Sequence, residues 1–238
     1  MRKSLEAVIL KNAKADWLNS PIVCVADVNS PLIRNIRTHT FENHLMPEDI
    51  LPTARVVISY FLPFRKEYAL TNSEGIDPSE IWVRLYVDTN KIIEEVNLAL
   101  VSKINELGYS ADFFKGGFDE NKIMSRWSQK HIAEAAGLGK FGVNNLLITK
   151  VGSCGRFGSV VSDIPVECDL PMTDELCLYK SKGKCGVCIK RCSVKALSLE
   201  GYNRKVCYER CLSNEIKYGA DVCGKCAVNI PCAFFGVK

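Results

Sequence analysis

The last quarter of this 238-residue chain is unusually rich in cysteine. Nine of its twelve cysteines fall within the segment that runs from Cys177 to Cys232. Thiolate sulfur is the preferred ligand of iron–sulfur clusters, and two four-iron clusters together use eight thiolates. The segment can therefore supply the ligands of two [4Fe–4S] clusters, with one cysteine left over.

The spacing of these cysteines is that of a ferredoxin. Cys185-x2-Cys188-x3-Cys192 matches the last three positions of the bacterial two-cluster motif, whose fourth cysteine binds the other cluster. The motif expects its first cysteine at Lys182, and Cys177 can take that place through a longer loop. This pattern predicts a C-terminal ferredoxin-like module.

The cysteines form two groups, one from Cys177 to Cys192 and a second, more loosely spaced one that contains Cys207, Cys223, Cys226 and Cys232. Exchanging Cys192 and Cys232 between the groups, as two-cluster ferredoxins do, assigns every ligand. The first quartet is Cys177, Cys185, Cys188 and Cys232, and the second quartet is Cys192, Cys207, Cys223 and Cys226. Cys211 is the spare cysteine, and it could replace Cys207 because it lies one helical turn further on. Two alternatives remain open, a single cluster and a structural zinc site formed by the two C-x2-C pairs.

The bulk composition limits the class of protein only loosely. A hydrophobic fraction of 47% supports a sizeable core, and a net charge of +4 argues neither for nor against nucleic acid. The N-terminus fails as a signal peptide because Lys11, Lys14 and Asp16 interrupt its apolar run. No apolar run reaches the ~18 residues of a membrane span, so we expect a cytoplasmic protein. In that reducing compartment, clustered cysteines indicate metal binding rather than disulfides.

Apolar periodicity predicts helices that alternate with short strands up to about residue 165. Helices are expected at 4–14, 91–107 and 125–136, strands at 21–27, 55–62, 146–149 and 159–162, and either state at 81–87. This pattern predicts an α/β domain over residues 1–165. The loop-rich remainder, 166–238, is expected to form a separate small module that is held together by its clusters.

A glycine-rich stretch occupies residues 137–158. Gly137, Gly139 and Gly142 match a dinucleotide-binding pattern only formally, because they follow a helix rather than a strand. The stretch indicates either tight turns between strands or backbone that lies close to a large flat cofactor, which glycine permits. The candidate cofactor-binding residues are Gly137, Gly139, Gly142, Asn144, Gly152 and Ser153.

The segment Ala135–Thr149, then Gly152-Ser153 and the cysteine-rich tail, resembles the epoxyqueuosine reductases and, more distantly, the corrinoid reductive dehalogenases. The resemblance implies a nitroreductase-like α/β (α+β) core that holds a base-off cobalamin and is supplied by two [4Fe–4S] clusters. It also supports the crossed assignment of the cysteines. It implies a ferredoxin- or flavodoxin-type reductant and a small organic or modified-nucleoside substrate, with tRNA as a further candidate.

The substrate end departs from that family. Counting back from the glycine motif, Ile123 stands where the family has an acidic residue that donates a proton. Asp119, Glu120 and Tyr86 are weak candidates for that role. The resemblance nevertheless implies an oxidoreductase that uses cobalamin. The alternatives are a cobalamin-free electron-transfer protein and an activator of a corrinoid protein.

Overall fold

The computed structural model describes residues 1–235, which form a mixed α/β fold. The helices are α1 (Arg2–Asn12), α2 (Pro31–Arg34), α3 (Ile36–His39), α4 (Pro47–Ile50), α5 (Lys66–Ala69), α6 (Glu80–Glu106), α7 (Gln129–Ala135), α8 (Leu178–Lys182), α9 (Val187–Arg191) and α10 (Arg204–Tyr218), with a 3-10 turn at Leu70–Asn72. The strands are β1 (Ile22–Asp27), β2 (Val56–Pro63), β3 (Ala111–Asp112), β4 (Phe118–Asp119), β5 (Met124–Ser125), β6 (Gly139–Phe141), β7 (Leu147–Thr149) and β8 (Gly155–Ser162).

The main sheet has the strand order β1-β2-β8-β3. β1 pairs with β2 in antiparallel register from Ile22 opposite Phe61, and β3 pairs with β8 in the same sense. Every residue of β2 is buried, so this strand forms the centre of the core. Two short hairpins, β4-β5 and β6-β7, lie outside this sheet.

The chain divides into two compact units, each assembled from three segments. The first unit comprises Met1–Leu62, Ile92–Gly139 and Arg156–Thr173, and the second comprises Pro63–Lys91, Lys140–Gly155 and the described residues from Asp174 onward. All nine cysteines of the tail belong to the second unit. Both units are therefore discontinuous in sequence. The predicted division into an α/β domain at 1–165 and a separate module at 166–238 stays a prediction.

A buried tyrosine organises the core of the first unit. Tyr60 on β2 is fully buried, and its hydroxyl donates to the Ile93 carbonyl at 3.0 Å and to Asn97 Oδ1 at 2.8 Å. A Cβ added at Gly158 would lie 2.3 Å from the Tyr60 ring, so glycine is required there for packing. Burial raises the pKa of Tyr60, so this hydroxyl stays protonated and keeps donating.

His44 fixes a second part of the same unit. Its Nε2 accepts from the Ser128 amide at 2.8 Å, its Nδ1 lies 2.6 Å from the Leu45 carbonyl, and its ring stacks on Trp127. Burial lowers the pKa of His44, which favours the neutral ring that this arrangement needs. The indole N–H of Trp127 in turn donates to Ser159 Oγ at 3.0 Å.

The predicted strands and helices are confirmed with shifted ends. The ambiguous segment 81–87 is helical, because α6 begins at Glu80, where the Ser79 hydroxyl accepts the Trp82 amide at 3.1 Å. α7 begins at Gln129, four residues later than predicted, since Met124 and Ser125 pair with β4 instead. Within residues 1–235, no helix combines the length and the apolar character needed to cross a bilayer.

Candidate metal centre

Four cysteines of the second unit line one recess, and they are the members of the predicted first quartet. The recess is lined by Cys177, Cys185, Cys188 and Cys232 together with Val143, Asn144, Leu178, Tyr179, Gly186, Ile230 and Pro231. Apart from the thiols, most of these side chains are apolar. The structure thus brings together residues separated by up to 55 positions in the chain, from Cys177 to Cys232.

Two left-handed glycines shape the loop that presents the first quartet. α8 starts directly after Cys177 and ends at Gly183, whose φ is +65°. Gly186, with a φ of +100°, precedes α9. These conformations favour glycine because it has no Cβ. They turn the chain so that Cys185 lies exposed at the recess while Cys188 is buried.

The thiols of the first quartet are close enough to influence one another's ionisation. Burial and, to a smaller extent, the neighbouring Cys188 and Cys177 together raise the pKa of Cys232 to about 12. Burial also raises the pKa of Cys188, with added effects of Cys177 and Cys185. Four thiolates in an apolar recess repel each other unless a cation neutralises them. This donor set therefore fits a metal cluster that binds deprotonated cysteines.

The second quartet is assembled around Cys226. Burial raises the pKa of Cys226, and four nearby thiols contribute to its value of about 12. In order of their effect, these thiols are Cys223, Cys207, Cys192 and Cys188. The first three are the remaining members of the predicted second quartet. Cys188 belongs to the first quartet, so the two groups of thiols are neighbours in the second unit.

The spare cysteine lies beside the second quartet. Cys211 forms a hydrogen bond with Cys207, and this bond and burial raise the pKa of Cys211. Both residues lie on α10, whose start is capped by Asn203 Oδ1, which accepts the Val206 amide at 3.2 Å. The choice of Cys207 over Cys211 as the ligand stays a prediction. In the described part of the chain, no three His, Cys, Asp or Glu side chains form a site for a single metal ion.

A buried lysine ties the Cys223–Cys226 loop to residues 72–74. Lys225 is 2% exposed, and its Nζ donates to the carbonyls of Asn72 at 3.0 Å and Glu74 at 2.7 Å. The Asn72 amide donates back to the Cys223 carbonyl at 2.9 Å. A cation and an amide therefore fix the loop that carries two thiols of the second quartet. No pattern in the sequence indicates this role for residues 72–74.

The same loop packs against a buried indole that has no hydrogen-bond partner. A Cβ added at Gly224 would lie 2.4 Å from Trp82 Nε1, and that N–H is unpaired among the described residues. An unpaired buried donor is costly, typically by about 1–3 kcal/mol. Sulfur of a cluster or of its cysteine ligands would accept this hydrogen bond, so the orphaned N–H fits a cluster beside Gly224.

The glycine-rich stretch contacts the cysteine-rich tail. Gly152 has a φ of +109°, and a Cβ there would lie 2.2 Å from the Ala233 carbonyl oxygen. The Ser153 hydroxyl donates to the Cys232 carbonyl at 3.1 Å, and the Asn144 amide donates to the Cys226 carbonyl at 3.2 Å. These residues thus position one cysteine of each quartet.

Gly137 and Gly142 of the stretch also lie close to protein atoms. A Cβ at Gly137 would lie 2.3 Å from the Leu170 carbonyl oxygen, and one at Gly142 would lie 2.9 Å from Asn144 Oδ1. Gly139 begins β6 and is buried. Close packing therefore explains glycine at 137 and 142, as it does at 152. The prediction that this stretch also contacts a cofactor stays a prediction.

The three weak candidates for a proton donor lie at different places. Asp119 Oδ1 accepts the Lys122 amide at 2.9 Å in the β4-β5 turn, and Glu120 is exposed in the same turn. The Tyr86 hydroxyl donates to Asp221 Oδ1 at 2.7 Å in the second unit. Ile123, in the family's acid position, has a φ of +53°, which is unusual for a β-branched residue. Asp119 and Tyr86 thus have structural partners, and no proton donor is assigned.

Comparison with known sequences and structures finds one family repeatedly, although no protein-family model matches the chain. An epoxyqueuosine reductase of Listeria monocytogenes is 37% identical over 108 residues, which are 39% of this chain and 27% of that protein. One of Aliivibrio fischeri is 30% identical over 175 residues, which are 70% and 42% of the two chains. These matches span less than half of the relatives' length.

Solved structures show the same fold. The epoxyqueuosine reductase of Streptococcus thermophilus superposes with a TM-score of 0.62 at 16% identity, covering 100% of this chain and 68% of its own. The catabolic reductive dehalogenase NpRdhA superposes with a TM-score of 0.55 at 15% identity, covering 86% and 28%. The predicted resemblance is therefore confirmed, and the chain is a relative of the epoxyqueuosine reductases.

Proposed function

We propose that the chain is an iron–sulfur redox protein resembling epoxyqueuosine reductase, and that its tail is a ferredoxin-like module with two [4Fe–4S] clusters. Cys177, Cys185, Cys188 and Cys232 would hold the first cluster, and Cys192, Cys207, Cys223 and Cys226 the second. The observation that carries the proposal is the recess lined by all four members of the first quartet. The electrostatic neighbours of Cys226 support the second quartet in the same way.

The clusters would supply one-electron transfer, and the protein's own residues would set its direction. Cys185 of the first quartet is exposed, whereas every cysteine of the second quartet is only partly exposed, so the most accessible thiol belongs to the first quartet. The proximity of Cys188 to Cys226 joins the two quartets. Electrons would therefore enter at the first quartet and pass to the second.

We further propose that the second cluster reduces a cobalamin and that the chemistry is reductive removal of a group from an organic substrate. A bound cobalamin would supply a strongly reducing cobalt centre. Relatedness to the epoxyqueuosine reductases and the fold shared with a reductive dehalogenase support this assignment. A modified nucleoside is the favoured substrate class, since an epoxyqueuosine reductase was solved with an epoxyqueuosine-modified tRNA stem loop.

The second candidate is an electron-transfer protein that binds no cobalamin, or an activator of a corrinoid protein. Two observations support this second candidate. Gly142 and Gly152 in the predicted cofactor turn pack against protein atoms. Ile123 cannot donate a proton in place of the family's acid.

Titration of the anaerobically purified protein with cobalamin separates the two candidates. The favoured function predicts saturable uptake at about one cobalamin per chain and corrinoid bands that shift when the iron–sulfur absorbance near roughly 400 nm is bleached by reductant. Absence of uptake in a protein that contains both clusters would leave the electron carrier as the function.

Replacing Trp82 by phenylalanine should lower the reduction potential of the second cluster only. A hydrogen bond to sulfur stabilises the more negative reduced state, and its loss should cost roughly 1 kcal/mol, or about 40 mV for one electron. Potentiometric titration followed by electron paramagnetic resonance measures both clusters. Tyr86→Phe, one turn along α6, removes a hydroxyl bonded to Asp221 and should leave both potentials unchanged. An unchanged reduction potential of the second cluster in the Trp82→Phe variant would refute the hydrogen bond from the indole N–H to sulfur.

A further inference from the structure

The loop that presents the first quartet carries an unbalanced positive charge. Between residues 176 and 199 the chain has six Lys and Arg residues and no Asp or Glu. Over the whole chain the two kinds are nearly equal, at 31 and 27. This segment therefore carries more positive charge than any even distribution would give it, although Asp174, Glu175 and Glu200 flank it directly.

Four exposed lysines lie within a few residues of the recess. This lysine rim consists of Lys180, Lys182, Lys184 and Lys190. Lys180 directly follows Tyr179 and Lys184 directly precedes Cys185, both of which line the recess. The rim belongs to the same loop and short helices as the cysteines, so its charge lies close in the chain to the exposed Cys185. Lys180 Nζ donates to the Phe141 carbonyl at 2.6 Å.

The apolar surface at the recess complements the charged rim. Leu178 lines the recess and is 36% exposed, and Cys185 beside it is exposed as well. An apolar centre with a polar, charged margin is the usual make-up of a protein–protein interface. A uniformly basic groove with aromatic stacking positions would instead be expected for single-stranded nucleic acid.

We propose that the lysine rim is the docking surface for an acidic one-electron carrier protein, which delivers electrons to the first cluster. This inference rests on the proposed function, because it requires a cluster in the first quartet. One electron leaves the reduced carrier, which becomes oxidised, and reduces the first cluster; no bond breaks and no proton moves. Opposite charges on the two surfaces steer the encounter and orient the carrier over the exposed Cys185.

The test compares two triple variants that lower the net charge equally. Lys182→Gln/Lys184→Gln/Lys190→Gln removes three charges from the rim, and Lys3→Gln/Lys11→Gln/Lys14→Gln removes three exposed charges near the N-terminus. Stopped-flow absorbance follows reduction of the cluster-loaded proteins by a reduced plant-type [2Fe–2S] ferredoxin, which is acidic. Photoreduced deazariboflavin serves as a small reductant that needs no docking, and iron analysis reports cluster content.

The rim variant should keep its iron and its rate with deazariboflavin. Its reduction by ferredoxin at low ionic strength should slow by about tenfold or more, with a flattened dependence on salt. The N-terminal variant should behave as the parent protein does. Unchanged ferredoxin kinetics in the rim variant, or equal slowing in both variants, would overturn the docking surface.

The same variants distinguish an RNA-binding surface, and failure of the proposed function, from failure of the docking surface alone. Loss of binding to a tRNA anticodon stem loop in the rim variant, with ferredoxin kinetics unchanged, would make the rim an RNA surface and overturn the proposal. A parent protein without iron would refute the proposed function and the docking surface together. A parent protein with both clusters and an unaffected rim variant would refute the docking surface alone.

Discussion

Replacing Cys226 by alanine should halve the iron content, from roughly eight to roughly four atoms per chain, because one four-iron cluster loses a ligand. Cys223, Cys207 and Cys192 lie close enough to Cys226 to raise its pKa, so its removal should take one thiolate from the proposed second quartet. The remaining iron should belong to the first cluster. Iron and acid-labile sulfide analysis of anaerobically reconstituted protein measures the loss.

Cys211→Ala is the matched control for this change. Cys211 is hydrogen-bonded to Cys207 but is the spare cysteine of the assignment, so its removal should leave about eight iron atoms. Full iron content in the Cys226→Ala variant would contradict the crossed assignment. Loss of a cluster from the Cys211→Ala variant would instead make Cys211 the ligand in place of Cys207.

Gly152→Ala should unfold the second unit at a markedly lower temperature and release the first cluster. The added Cβ would lie 2.2 Å from the Ala233 carbonyl oxygen, and the backbone φ of +109° is strained for alanine. Backbone strain and overpacking together should cost about 3 kcal/mol or more. Since Ser153 next to it holds the Cys232 carbonyl, the displaced segment includes a ligand of the first quartet.

Gly116→Ala is the control that separates the cost of backbone strain from the cost of overpacking in Gly152→Ala. Gly116 has a φ of +126° and nothing within 4 Å of an added Cβ, so its replacement tests the backbone cost alone. Thermal unfolding by circular dichroism, with iron analysis of the same samples, should show a much larger loss for Gly152→Ala. Equal losses in the two variants would mean that the contact with Ala233 contributes little.

The sequence predicted the elements of the fold well where the pattern was strong. The β-branched run at 55–62 became the fully buried strand β2. Apolar periodicity does not distinguish a strand from a helix at 81–87. The Ser79 hydroxyl caps the first turn of α6 there, and this contact is not visible in the hydrophobic pattern. The start of α7 was placed too early, since pairing of β5 with β4 outweighs local helix propensity at Met124 and Ser125.

The site was predictable to the extent that it depends on cysteine chemistry. Spacing alone grouped Cys177 and Cys232 with Cys185 and Cys188, and the structure places all four around one recess. The supporting contacts were not predictable, because Lys225 and Trp82 act through long-range packing that no local pattern records. The glycines at 142 and 152 illustrate the same limit, since only the structure shows which atoms approach them.

Metal and sulfide analysis combined with Mössbauer spectroscopy of the anaerobically purified full chain tests the central claim most directly. Two [4Fe–4S] clusters predict about eight iron and about eight sulfide per chain, with spectra of four-iron clusters only. Stoichiometric zinc without iron would contradict the account, since the two C-x2-C pairs would then form a structural zinc site.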